Sequence, residues 1–347
     1  MPRTIQLSEA IDEYERHRIS NHIAKSTLAN QRTTLKKFLA VTGNVWIHAL
    51  DDRHVDRFFT ELAKTKQAQS QRNDHTVLQG FFEWARYRKY LSDDVDPMRL
   101  RRKPPRMEKE RNRIHVSKFG ALLDAAEARC ERDRAGVAML LYTLARDQEI
   151  ANLRIRDVDL AAGLIFMRVY KTQQEDQMPI CEELDRELRR WLTYYTEQVG
   201  PLEPHYFLIP SRDTRGVAGE DGIYHSVTQV RLCPERKVAT MGRIATPALE
   251  AIGFQTKDEK GRGMGEGAHT IRRSGARALF DDLVSDGYDH ALRVVQSVLH
   301  HRSMQTTEKY IGVSADRRSR DDLLRGRIMY RGASGNVSSL ADRREAR

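Results

Sequence analysis

The sequence predicts a mainly α-helical chain of two domains with one small β-hairpin. Three observations carry that expectation. Apolar residues recur at helical spacing through residues 5–95, with no strand signal. A break rich in proline and arginine follows over residues 99–113. Beyond it, one strand–turn–strand pattern interrupts a second half that otherwise reads as helix.

In the first domain, residues 1–98, four stripes appear in turn. Leu7, Ile11 and Tyr14 form the first, and Leu28, Leu35, Phe38 and Leu39 the second, which Gly43 should stop. Val55, Phe58, Phe59 and Leu62 form the third. Val77, Leu78, Phe81, Phe82, Ala85 and Leu91 form the fourth. Four short amphipathic helices suggest a compact all-α domain. The break over residues 99–113 holds Arg101, Arg102, Lys103, Pro104, Pro105, Arg106, Lys109, Arg111 and Arg113. Two prolines oppose helix and the charge opposes burial, so it reads as an interdomain linker. It could be merely solvated; its density of positive charge favours a linker lying along phosphates.

The second domain spans residues 114–331. Helix is expected from Val116 to Tyr142. Ala161 to Gly163 then introduce a strand, Leu164 to Tyr170. Lys171 to Gln177 read as a polar turn, and Met178 to Ile180 as a returning strand. Helix returns at Glu183 to Val199. Residues 211–268 are glycine-rich, polar and poorly periodic, apart from an expected helix over Val238 to Ala251. Residues 270–330 read as mostly helical. The tail, 332–347, is polar and expected to be disordered. There is no internal repeat.

Composition narrows the function. The chain of 347 residues carries a net charge of +10, with 31% charged and 39% hydrophobic residues. A basic surface attracts polyanions, nucleic acid first among them. The longest apolar run, Val137 to Ala145, is too short to span a bilayer, and the N-terminus lacks a signal-peptide core. No basic amphipathic helix with a large apolar face suggests membrane binding. Cys130, Cys181 and Cys233 are odd in number and far apart, so neither a disulfide framework nor zinc spacing results. Reduced thiols in a cytoplasmic protein are the expectation.

Five local signals stand in one order along the second domain. They are Arg146 with Glu149 three residues on; Lys171 in the hairpin turn; His269-Thr270-Ile271-Arg272; Leu299-His300-His301; and Tyr310, nine residues after His301. In this ordered set the sequence resembles the tyrosine recombinase, or phage integrase, family. Its hallmark is an Arg, a Lys, a His-x-x-Arg pair, a second His or Trp, and a Tyr nine residues later. The resemblance covers residues 5 to about 325. It implies a helical core-binding, SAM-like domain followed by an α+β catalytic domain, together forming a C-shaped clamp on DNA. Departures are visible as well. The family usually has Gly-Leu where this chain has Leu144-Ala145, Gly where it has His300, and further basic residues where the hairpin has Glu175 and Asp176.

The chemistry asks for these residue types. Attack on a phosphodiester adds charge to the non-bridging oxygens, and two guanidiniums can clamp them while staying charged; Arg146 and Arg272 fit. The departing 5′-oxygen is a poor leaving group unless protonated, and Lys171 can supply the proton. A tyrosine hydroxyl must lose its proton to attack, making Tyr310 the candidate nucleophile. His269 could accept that proton or hold the phosphate, and His301 could donate to a phosphate oxygen. By resemblance, Glu149 supports the site without reacting. Taken singly, Arg146 could be a helix arginine paired with Glu149, Lys171 a solvated turn lysine, and His269 a helix cap. The ordered set selects the catalytic reading.

A tyrosyl phosphodiester replaces a sugar phosphodiester at little net cost, so neither ATP, metal nor any other cofactor is expected. In the first domain, Lys25, Arg32, Lys36 and Lys37 lie near one helix and Arg72 and Arg86 near another. With Arg101, Arg102 and Lys103 they are the candidate DNA contacts, a solvated helical face being the alternative. The resemblance implies site-specific integration or excision at double-stranded DNA attachment sites. It also implies a homotetramer on synapsed DNA and an accessory excisionase factor for directionality. Too few residues precede Leu7 for an N-terminal arm-binding domain, which suggests simple attachment sites. The segment Ser314 to Tyr330, with Leu323, Leu324, Ile328 and Met329, is expected to pack on a neighbouring protomer. Type IB topoisomerase and a non-catalytic DNA-binding protein are the rival readings.

Overall fold

The computed structural model describes residues 4–105, 112–169, 174–218, 224–259, 261 and 263–313. The chain divides into two compact units, 1–109 and 110–347. Lys171, the segment Ser314 to Tyr330 and the tail 332–347 lie outside the described residues.

The first unit is built from α1 (Leu7–Ser20), α2 (Lys25–Thr42), α3 (Asp52–Thr65) and α4 (Ala68–Tyr87). The apolar stripes of the sequence become one core. Phe38 meets Phe58 and Phe82 edge-on at ring distances of 5.4 and 5.9 Å, so α2, α3 and α4 share an aromatic centre. Gly43 ends α2 at φ +79°, the left-handed region that glycine enters without steric penalty. Asp51 caps α3 by accepting from the His54 amide at 3.2 Å. One buried carboxylate locks the packing. Asp74 on α4 accepts from Thr34 on α2 at 2.7 Å and from Lys66, just past α3, at 2.6 Å. The basic segment begins docked on this unit. Arg101 lies over the Phe59 ring at 4.4 Å, its carbonyl is 3.0 Å from His75 Nε2, and Arg72 donates to the Pro104 carbonyl at 2.5 Å.

The second unit contains α5 (Phe119–Glu127), α6 (Glu131–Tyr142), α7 (Asp147–Ala151) and a sheet of β1 (Val158–Asp159), β2 (Leu164–Val169) and β3 (Gln174–Pro179). There follow α8 (Glu182–Val199), β4 (Pro210–Ala218), β5 (Tyr224–Lys237), α9 (Gly242–Ala251), α10 (Ala268–Ser285), α11 (Ala291–Val298) and α12 (Met304–Ile311). The three-stranded sheet is antiparallel in the order β1-β2-β3. The apolar run in α6 is a central helix: every residue from Ala135 to Leu141 is buried. Glycines let its neighbours approach. A Cβ on Gly136 would come within 2.9 Å of Ile244 on α9, and one on Gly275 of α10 would come within 2.7 Å of the Leu141 carbonyl oxygen.

One expectation needs correction. Residues 211–268 do not merely connect helices. Antiparallel β4 and β5 form a second sheet, so the unit contains two hairpins and not one. The helix expected from Val238 begins only at Gly242.

The close crossing of α10 and α6 predicts that Gly275→Ala destabilises the fold by about 1–3 kcal/mol, because the clashing partner is backbone and cannot turn aside. Chemical denaturation should show a lower midpoint with an unchanged slope. An unchanged midpoint would refute the close-packing argument.

Candidate active site

After α6 the chain must turn sharply to present Arg146. Thr143 makes the turn by donating to the Met139 carbonyl at 2.6 Å and accepting from the Ala145 amide at 3.2 Å. Leu144, buried at 3% exposure, takes φ +52°. For a residue with a Cβ this conformation costs about 1–2 kcal/mol, and packing must hold it. Arg146 then opens α7. Glu149 receives its backbone amide at 2.6 Å and its guanidinium at 2.8 Å, so the carboxylate fixes both ends of the residue.

Arg272 comes from α10 and is 2% exposed. Its guanidinium donates to the Leu299 carbonyl at 2.9 Å, while its buried Nε has no hydrogen-bond partner among the described residues. Arg146 reaches the same turn, donating to Leu299 and His300 carbonyls at 3.4 and 3.5 Å. Two cations therefore converge at the C-terminal end of α11, the negative end of the helix dipole. Burial pushes Arg272 down from the usual arginine range to about 10; the Tyr310 phenol opposes the shift, Arg146 adds to it, and Glu149 opposes it.

The turn between α11 and α12 holds the rest. His300 takes φ +52°. Gln296 ties the turn back by donating to the His301 carbonyl at 2.9 Å. His301 Nδ1 lies 3.1 Å from the hydroxyl of fully buried Thr307, one turn before Tyr310 on α12. The His301 and Tyr310 rings meet edge-on at 5.2 Å. The Tyr310 hydroxyl donates to the backbone carbonyl of His269 at 3.3 Å. The far end of α12 is moored through the Ile311 carbonyl, which accepts from Arg113 and from Arg277.

The fold thus brings Arg146, Glu149, Arg272, His301 and Tyr310 together, with the backbone of His269 beside the tyrosine. Sequence reasoning missed Thr307, the Leu299 carbonyl and the Asp176–His300 contact. It did single out Leu144 and His300 as departures, and both prove to be left-handed residues flanking the arginine seat. Of the candidate DNA contacts, Lys25, Lys36, Lys37, Arg102 and Lys103 are exposed. Arg32 pairs with Glu15, Arg86 with Asp96 at 3.3 Å, and Arg72 and Arg101 hold the docked segment.

Two family profiles match this chain. The profile of the N-terminal SAM-like domain of phage integrases matches residues 8–91, and that of the phage integrase family matches residues 112–317. The chain belongs to the phage integrase family. It is a tyrosine recombinase, an enzyme that breaks and rejoins DNA. Similar curated proteins include the tyrosine recombinase XerA of Thermococcus kodakarensis, 25% identical over 89% of this chain and 92% of that one. Another is the tyrosine recombinase XerD of Ralstonia nicotianae, 24% identical over 86% of this recombinase and 87% of the relative. Among solved structures, a lambda integrase dimer bound to a core site matches with a TM-score of 0.65 at 16% identity. The match covers 97% of this chain and 100% of that one. A lambda integrase tetramer on a Holliday junction matches with a TM-score of 0.62 at 16% identity, over 86% and 78% of the two chains. These likenesses show a shared fold. No helix among the described residues is long and apolar enough to cross a membrane.

Arg272 generates a prediction about stability. A buried cation depressed to about 10 binds fewer protons in the folded than in the unfolded chain from about pH 10 up to the ordinary arginine range. Its cost is therefore fully present below pH 10 and declines as pH rises through that window. Arg272→Met should unfold at the same or higher denaturant concentration at pH 8, and its advantage should shrink by pH 11. A variant markedly less stable at pH 8 would show that the cation stabilises the resting fold.

Proposed function

We propose that this recombinase cuts each strand by attack of the Tyr310 phenolic oxygen on the scissile phosphorus. An O–P bond forms to Tyr310 as the bond to the 5′-oxygen breaks. The products are a 3′-phosphotyrosyl link and a free 5′-hydroxyl. Attack by a 5′-hydroxyl of another strand reverses the step and completes the exchange. One phosphodiester replaces another, so no external energy source is required.

The convergence of Arg146, Arg272, His301 and Tyr310 on the turn Leu299 to His301 carries the reading. A phosphate is the natural companion of two guanidiniums that have a backbone carbonyl and one carboxylate among them. Arg146 and Arg272 bind the non-bridging oxygens and stabilise the charge that grows there. His301, oriented by Thr307, donates to the same phosphate. His269 accepts the tyrosine proton or holds the phosphate, and Lys171 protonates the departing 5′-oxygen. Glu149 keeps Arg146 in register.

The substrate is a pair of double-stranded attachment sites. Exposed Lys25, Lys36, Lys37, Arg102 and Lys103 supply phosphate contacts, which set register without reading sequence. A homotetramer assembles on the synapsed sites, a reading supported by the lambda integrase tetramer bound to a Holliday junction. The reaction belongs in the cytoplasm of a bacterial host, where an excisionase-like factor would set direction.

A nicked suicide substrate, which loses its short 5′-hydroxyl fragment, traps the covalent adduct. Wild-type protein should accumulate it. Tyr310→Phe should form none while binding duplex within about twofold of wild type, since one hydroxyl contributes little beside many phosphate contacts. Arg272→Ala should slow adduct formation by about 10²–10³-fold. Adduct formed by Tyr310→Phe would refute the nucleophile assignment.

A further inference from the structure

Asp176 on β3 and His300 on the α11–α12 turn meet across 124 residues of sequence, with Asp176 Oδ2 2.7 Å from His300 Nε2. The contact is half-sheltered: the His300 side chain is 17% exposed and that of Asp176 43%. It joins two parts of the site that otherwise come from different elements. Asp176 pairs with Met167 in the β2–β3 ladder, two pairs from Val169 and Gln174, where the ladder ends. The four residues 170–173 that join the strands include Lys171. His300 sits between Leu299, whose carbonyl seats both arginines, and His301.

We propose that Asp176 and His300 are positioning residues for this reaction. Their contact fastens the Lys171-bearing end of the hairpin to the turn that holds the arginines. The turn has other anchors: the Gln296 bond, the Leu299 seat and the Thr307 contact all hold it without Asp176. The neighbouring pair on the hairpin, Arg168 to Glu175 at 3.0 Å, stays within the hairpin. Loss of the Asp176–His300 contact therefore loosens the hairpin far more than the turn. Beyond its two pairs with β1, the β2–β3 ladder is a two-stranded ribbon with little stiffness of its own, and misplacing a reacting group by about 1 Å can cost 10²-fold in rate. The acidic residue gives the hairpin an address on the catalytic turn. With the left-handed backbone at His300, φ +52°, the imidazole reaches that carboxylate.

The inference rests on Lys171 acting as the general acid, and the test separates the two. Adduct formation is timed on an ordinary duplex and on one whose scissile 5′-oxygen is replaced by sulfur. In the second, the Tyr310–phosphorus bond forms as the phosphorus–sulfur bond breaks. The sulfur leaves as a thiolate that needs no proton, so a defect in proton delivery disappears. Lys171→Ala should be slow on the ordinary duplex and near wild type on the sulfur duplex. If it is slow on both, the Lys171 role fails.

Given Lys171 behaving so, Asp176→Ala and His300→Gly should each lose about 10-fold on the ordinary duplex and less than about twofold on the sulfur duplex. The double variant should be no slower than either single one, because both remove one contact. His300→Gly also relieves the left-handed strain, so it folds at least as well as wild type and guards against a defect of mere instability. Equal defects on both duplexes, no defect at all, or additive losses in the double variant would each overturn the proposal.

Discussion

Burying a cation is costly unless something nearby repays the lost water, and among the described residues Arg272 is buried with one hydrogen bond, to the carbonyl of Leu299. Much of the catalytic unit follows from that constraint. The carbonyl must stand at a helix end, where it has no partner of its own, and α11 stops there. A second cation, Arg146, shares the carbonyl, so a carboxylate, Glu149, must be held beside it. One carboxylate therefore stands against two cations. Two cations with one carboxylate between them suit an anion such as a phosphate diester. Stability is given up in the resting protein so that the anion gains when it arrives.

Tyr310 is organised by the same turn. His301 follows directly from the arginine seat, Thr307 fixes its ring, and Tyr310 lies one helical turn beyond Thr307. The spacing of nine residues between His301 and Tyr310 is therefore geometric: a short connection and two turns of α12 bring ring against ring. The same logic explains the buried Thr307, an otherwise unremarked polar residue on an amphipathic helix.

Local pattern made much of this legible. The helices of the first unit, the central helix α6 and the strand β2 each wrote their period into neighbouring residues, and composition marked the polyanion partner; β3 did so only at its end, since it begins at Gln174 inside the polar stretch expected as turn. The β4–β5 sheet left no such trace. Its strands pair with each other across polar and glycine-bearing stretches such as Pro210 to Ala218, so no apolar alternation announced them. The Leu299 seat was invisible because a backbone carbonyl has no letter in the sequence. The contact between Asp176 and His300 spans 124 residues, beyond any local pattern. Charge counting also overstated the free basic surface: Arg72, Arg86 and Arg101 were seen as cations, but their partners Pro104, Asp96 and Phe59 could not be.

The two left-handed residues have a consequence for the order in which the protein forms. Leu144 and His300 hold their turns only while surrounding side chains insist on it, and the insistence comes from a small cluster. Leu144 itself packs there with Ala276, Val295, Leu299 and Ile311, apart from the larger core around α6. That cluster gathers residues from four separate stretches of the chain, so it closes after local helices have condensed. Folding should therefore finish at the catalytic turns, and native-state opening should begin there. The turns that gather Arg146, Arg272, His301 and Tyr310 are the part the rest of the chain completes last.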